Sequence, residues 1–187
     1  SLLVRLKRKL GMETLTPAHR IDRGTAGLVI FSVQPHARDR YQTLFRERAV
    51  HKIYEAIVPW KEGTHLPPVR RSHLMDDASF LRTREAPGEP NSETHMEVLE
   101  VQGSHARLRL SPVTGRKHQL RVHCAAMGMP ILHDAYYPVL RPEGAVADHP
   151  LARDVAQGRH VQGDDADPHQ GQDRVVLEED EREEDDH

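Results

Sequence analysis

His19-Arg20-Ile21-Asp22-Arg23-Gly24-Thr25-Ala26-Gly27 runs directly into the apolar stretch Leu28-Val29-Ile30-Phe31. One carboxylate lies between two arginines, and the glycines at 24 and 27 permit backbone geometry that other residues resist. The layout predicts a tight polar loop feeding a buried strand over 28–33, with Asp22 held by the edge of a sheet. Adjacent guanidiniums favour negative charge, whether a carboxylate's or a phosphate's, so the loop suits a reactive acid set against a nucleic-acid backbone. Taken alone, an Arg-Asp-Arg cluster is more often a surface ion pair. A kinase catalytic loop is excluded, because Ile21 separates arginine from aspartate and the chain has neither a glycine-rich nucleotide loop nor Asp-Phe-Gly.

Working outward, 187 residues allow one domain, or one domain and a tail. Charge divides the chain at about residue 140: residues 1–140 hold 21 Lys/Arg against 14 Asp/Glu, and 141–187 hold 5 against 15. A basic body suits a polyanionic partner. The tail is poor in large apolar side chains and is expected to be disordered for most of its length. The single cysteine, Cys124, excludes an internal disulfide and a zinc cluster and suits a reducing cytoplasm. No apolar run approaches membrane-spanning length, so no membrane role is expected. No nucleotide, flavin or metal motif is present, so no cofactor and no metal are expected, and the body is read as a monomer.

Residues 1–10 read as a basic amphipathic helix packed on the body, with a phosphate-facing arm as the alternative, ended by Gly11. A helix over 36–48 places Tyr41, Leu44 and Phe45 on the core face and Arg38, Arg40 and Arg46 outside. Residues 50–58 alternate as a strand, with Tyr54 sharing a face with Lys52, Ala56 and Val58. Residues 61–91, rich in proline, charge and histidine, read as loops and short strands. Strands over 94–101 and 106–110 are joined by a Gly103-Ser104 hairpin turn. A helix over 117–127, closed by Gly128, would present backbone N–H groups beside Arg116 and Lys117, an arrangement suited to an anion. Arg121 would share a face with Lys117, His118, Cys124 and Ala125.

Three blocks carry a resemblance. His19-Arg20-Ile21-Asp22 resembles the His-Arg-Leu-Asp signature of the RluA-type RNA pseudouridine synthases. Lys52-Ile53-Tyr54 is similar to the family's Lys-x-Tyr. Thr114-Gly115-Arg116-Lys117-His118-Gln119-Leu120-Arg121-Val122-His123 resembles its Thr-Gly-Arg-x-His-Gln-Ile/Leu-Arg-Val-His block, and Gly128 to Tyr137 follows its Gly-x-Pro-Ile-x-x-Asp-x-x-Tyr. The resemblance spans about residues 17–138; family segments before the aspartate motif and after the last block have no match beyond the basic arm and an isolated His149-Pro150.

The resemblance implies an α+β fold, a pseudouridine-synthase-like mixed, mainly antiparallel sheet with flanking helices, with a catalytic domain over 1–140. It implies isomerisation of specific uridines in ribosomal or transfer RNA. Asp22 would be the nucleophile on a flipped-out uridine, Tyr54 would stack on the uracil, and Arg121 would pair with Asp22. Arg20 would fill the space the base leaves. Arg23, Lys52, Arg116, Lys117, His118 and Gln119 are the expected RNA contacts. The alternative is a truncated or catalytically inactive RNA-binding relative.

Overall fold

The structure is a computed structural model that describes residues 2–22, 24–141 and, as backbone, Val175–Glu179. Arg23 and the rest of the acidic tail lie outside the described residues. The chain divides into two compact units, one holding residues 1–50 and 156–187, the other residues 51–155.

The first unit opens with α1 (Leu2–Leu10). Leu6 is buried among Leu15, Val29 and Phe31, with Leu2, Leu3 and Met12 packed around them. Gly11, at φ +64°, ends α1, and the Met12 amide turns back to the Lys7 carbonyl at 3.1 Å. That is the left-handed helix stop only glycine adopts without strain. Two short strands follow, β1 (Thr16–Pro17) and β2 (Leu28–Ser32), paired antiparallel through Thr16↔Ser32 and Pro17↔Phe31. β2 buries Val29, Phe31 and Ser32, whereas Leu28, expected inside, is 38% exposed at the strand's entrance. On its other edge β2 pairs with Val175–Glu179, where Val175-Val176-Leu177 is an apolar run inside an otherwise polar tail.

The helix expected over 36–48 is a 3-10 turn, Pro35–Ala37, followed by α2 (Arg38–Arg46). Its core face is thinner than the periodicity predicts. Tyr41 and Phe45 are half-buried, Leu44 is exposed, and Arg38, placed outside by the sequence, is half-buried and donates to the Thr14 carbonyl at 2.7 Å. Phe45, not Leu44, faces the loop after β1, where its ring meets His19.

The second unit is a five-stranded sheet of β3 (Tyr54–Pro59), β4 (Val69–Asp76), β5 (Thr83–Ala86), β6 (Ser92–Gln102) and β7 (His105–Pro112). Their order is β3-β7-β6-β4-β5, and every described pairing is antiparallel. The β6–β7 turn is Gly103-Ser104 as read from the sequence, with Gly103 at φ +57°. Alternation explains both faces. Ala106, Leu108 and Leu110 point inward with Ala56, Val58 and Met96, and α3 (Gln119–Ala126) lays Cys124 against them. Arg107 and Arg109 point outward and meet Glu55, Glu100 and Glu97 at 2.7–3.2 Å, so the arginines of this face are already paired with carboxylates. The largest departure from the sequence reading is β4, an eight-residue strand in the stretch read as loops and short strands.

Beneath α3 lies a polar cluster rather than a uniformly oily core. His123 is fully buried; its Nε2 meets Ser72 Oγ and Ser92 Oγ, and its Nδ1 meets Thr94 Oγ1, each at 3.0 Å. Burial pushes the imidazole pKa down from 6.5 to about 4, with Glu85 opposing the shift and Arg70 adding to it. The unfolded chain therefore binds a proton that the folded chain refuses. Stability is fully present above pH 6.5 and falls as the pH drops toward 4, by about 3 kcal/mol if the whole shift is realised. Urea unfolding of the parent between pH 7 and pH 4.5 should show this loss, and His123→Gln should flatten it. Equal slopes in both proteins would show that His123 is not its source.

Candidate functional site

In the first unit the loop from Ala18 to Gly27 joins β1 to β2, and its first two residues are tied to β2 at Ile30. Ala18 N–H donates to the Ile30 carbonyl at 2.8 Å, and Ile30 N–H donates to His19 Nε2 at 3.1 Å. Nε2 therefore accepts, and the imidazole is fixed in one orientation. Its ring stacks on Phe45 of α2 at 4.6 Å, with planes 23° apart. One histidine thus joins the loop's root to a strand backbone and a helix. The sequence displayed His19 but gave no hint of this role, since its partners lie 11 and 26 residues away.

Beyond that root the chain turns sharply, with Thr25 N–H donating to the Asp22 carbonyl at 2.9 Å. Ile21 packs toward the Leu6–Leu15–Val29–Phe31 cluster, so the residue before Asp22 is anchored in apolar contacts. The Asp22 side chain keeps 22% of its surface exposed. Arg20 is 84% exposed and approaches Asp22 only to 3.9 Å, a contact worth little in water. Asp22 therefore sits at the crown of a short, doubly anchored loop. Arg23 lies outside the described residues.

The other candidate side chains belong to the second unit. Tyr54 opens β3 on the face shared with Ala56 and Val58 and is half-buried at the rim of that core, as its strand position predicts. Lys52 precedes the strand instead of lying in it, and its ammonium stands 3.4 Å from where a Cβ on Gly115 would be. Lys52 and the Thr114-Gly115 turn are thereby neighbours.

The block 114–121 differs in detail from the expected helix. α3 begins at Gln119, and His118 stands before it with φ +54°, so Arg116 and Lys117 belong to a turn. The cause is Gln119 itself. Its Oε1 accepts from Thr114 Oγ1 at 2.7 Å and from Arg116 N–H at 3.1 Å; its Nε2 donates to the Glu93 carbonyl and to Thr94 Oγ1, both at 2.9 Å. All four hydrogen-bonding positions of the amide are filled in a side chain 4% exposed. Gln119, expected to touch RNA, is a buried brace of the turn, and Arg116 N–H, expected to be open to an anion, is already taken. Arg116 itself remains exposed, its Nε donating to the Asn91 carbonyl at 3.3 Å. Lys117 donates to the Phe80 carbonyl at 2.9 Å and lies 3.5 Å from Asp76.

Arg121 forms a largely buried, two-pronged charge pair with Asp134. Nε and Nη2 reach the two carboxylate oxygens of Asp134 at 2.7 and 2.6 Å, and the side chains are 16% and 3% exposed. Asp134 Oδ1 also accepts from the backbone N–H groups of Tyr136 and Tyr137 at 2.8 and 3.2 Å. The guanidinium lies over both rings, 4.7 Å from the Tyr136 centroid and 5.2 Å from that of Tyr137. His118 joins the same group, its Nδ1 3.0 Å from the Tyr137 hydroxyl. That hydroxyl donates to the Thr83 carbonyl and accepts from Thr83 N–H, and burial raises its pKa. His118 and Arg121 are thus brought together on the Tyr136–Tyr137 pair. The sequence marks Asp134 as the acid of the Gly-x-Pro-Ile-x-x-Asp-x-x-Tyr block but assigns it no role, because its partner Arg121 lies 13 residues away and meets it only after folding. Cys124 offers no nucleophile: it is fully buried, with its thiol pushed up to about 12, chiefly by burial. No group of three or more His, Cys, Asp or Glu side chains suited to a metal occurs among the described residues. No described helix is long and apolar enough to cross a membrane.

Residues 3–126 match the family described as RNA pseudouridylate synthase. The chain is 36% identical over 139 residues to the dual-specificity RNA pseudouridine synthase RluA of Haemophilus influenzae, covering 73% of this chain and 63% of that protein. It is 33% identical over 144 residues to the ribosomal large subunit pseudouridine synthase C of Vibrio cholerae, covering 77% and 45%. Among solved structures, human RNA Pseudouridylate Synthase Domain Containing 4 aligns with a TM-score of 0.56 at 29% identity, over 73% of this chain and 57% of that one. The chain therefore spans only about half to two thirds of the length of these proteins.

Proposed function

This chain belongs to the RNA pseudouridylate synthase family, and on that premise we propose that it isomerises uridine to pseudouridine in RNA, with Asp22 as the nucleophile. The observation that carries the reading is the doubly anchored loop: His19 fixes its root through Ile30 and Phe45 and leaves the Asp22 carboxylate partly exposed at the crown. The reaction breaks the N1–C1′ glycosidic bond, turns the uracil, forms C5–C1′, and moves the C5 proton to solvent while N1 gains one. Atoms balance without redox or phosphoryl chemistry. A carboxylate nucleophile suits the step because it divides one difficult displacement into two easier ones.

In this reading Tyr54 stacks on the extruded uracil and Arg121 supplies the positive charge that Asp22 requires. Extrusion costs about a few kcal/mol, offset by stacking and by Arg20 filling the vacated space. Arg23, Lys52, Arg116, Lys117 and His118 contact the RNA. Gln119 acts from inside, by holding the turn that displays Arg116 and Lys117. The substrate is ribosomal or transfer RNA, met in the cytoplasm.

The second reading is an RNA-binding relative without activity. Release of tritium from RNA labelled at uracil C5 separates the two. We expect release from ribosomal or transfer RNA. A folded chain that binds both RNAs but releases nothing from either is a binding protein.

A further inference from the structure

Phe80 is 88% exposed, far more than any other large apolar side chain among the described residues. A lone surface aromatic means little, but this one is displayed on a built turn. It lies between β4 and β5, where Asp77 N–H donates to the Arg82 carbonyl and Arg82 N–H donates to that of Ser79. Two cations then fasten the turn to its own unit: Lys117 donates to the Phe80 carbonyl at 2.9 Å, and Arg82 donates to the Pro138 carbonyl at 3.0 Å while covering the Tyr137 ring at 5.0 Å. The Lys117 ammonium also stands 5.4 Å from the centre of the Phe80 ring. Leu81 beside it is 50% exposed. Asp76 and Asp77 offset part of the positive charge, at 3.5 Å from Lys117 and 3.7 Å from Arg82, and Arg84 and Arg116 remain outside those pairs.

We propose that Phe80 is a stacking platform for an unpaired RNA base, with Lys117 placing the adjoining phosphate. This rests on the RNA-directed reading above and extends it to a contact away from the reacting uridine. The occupant follows from the chemistry. A flat, uncovered π-face flanked by cations is what single-stranded nucleic acid uses, since every base has a face to stack and every nucleotide a charge to neutralise. An apolar protein partner would not require the lysine held against the ring. Anchoring matters equally, because a ring presented on a fixed turn loses little freedom when a base lands on it.

The probe is a fluorescein-labelled, uridine-rich single-stranded RNA of about 12 nucleotides, titrated at several salt concentrations against the parent, Phe80→Ala, Phe80→Tyr and Lys117→Gln. Phe80→Ala should bind about tenfold more weakly with an unchanged salt slope, Phe80→Tyr should match the parent, and Lys117→Gln should lower the slope. Because the ring is exposed, Phe80→Ala should fold normally, as circular dichroism will show. Parent affinity in Phe80→Ala overturns the platform and leaves the isomerase reading intact. An affinity loss matched by conversion of a parent dimer to a monomer in sedimentation overturns it in favour of a contact between two copies. A parent that does not bind the strand overturns the platform, while the isomerase reading stands or falls on tritium release from ribosomal and transfer RNA.

Discussion

Asp22→Asn is expected to abolish tritium release from RNA labelled at uracil C5, lowering the rate on the order of 10⁴-fold or more while leaving the fold unchanged. The amide keeps the shape and nearly the hydrogen-bonding reach of the acid, so its loss reads the carboxylate's chemistry. The loop should keep its shape, because the turn uses the Asp22 backbone carbonyl, which accepts from Thr25 N–H at 2.9 Å and which asparagine retains. RNA affinity should also persist within a few-fold, since the proposed contacts lie on other residues. Equal release by parent and variant would remove Asp22 from the mechanism.

His19 offers a contrast within the same loop. Its Nε2 accepts the Ile30 N–H and its ring lies on Phe45, so the loop's geometry depends on it although it performs no step. Sequence reading found the loop because the acid, the two arginines and the two glycines are adjacent. It missed the anchor because Ile30 and Phe45 come together with His19 only after folding. The same distinction runs through the second unit. Tyr54, the Gly103 hairpin and the inward Ala106, Leu108 and Leu110 were legible, since each is local or obeys a period of two.

β4 was not legible, for a physical reason. Ser72 and Ser92, which flank its pairing with β6, turn toward His123, so inward positions that a pattern reader expects to be apolar are serines satisfied by a buried imidazole. Val69-Arg70-Arg71-Ser72-His73 consequently looks like loop. Gln119 misled in the opposite direction. A glutamine between His118 and Arg121 in a basic block reads as a surface contact, yet the Thr114, Glu93 and Thr94 groups around it make burial favourable by filling every donor and acceptor it has. That use of the amide also explains why α3 starts two residues later than the sequence predicts.

Asp134→Asn should produce the largest loss of stability of any single change considered. The Asp134 carboxylate is 3% exposed and accepts four short hydrogen bonds, two from Arg121 and two from the backbone of Tyr136 and Tyr137. An amide can keep the backbone bonds through its oxygen, but its NH₂ then faces a guanidinium that has only donors. The result is a mostly buried guanidinium that has lost the Asp134 charge, a defect that costs about 3–5 kcal/mol. Arg121→Met should cost a comparable amount by stranding Asp134, and the double variant should lose far less than the sum, since it removes both charges together. Urea unfolding of the four proteins measures this directly. Additive losses, or single losses below about 1 kcal/mol, would reduce the pair to an ordinary surface contact. Strong coupling would mean that Arg121 is held by Asp134 before any RNA arrives, so the guanidinium proposed to serve Asp22 is positioned in advance, and Asp134→Asn should then depress kcat in proportion to how freely Arg121 moves.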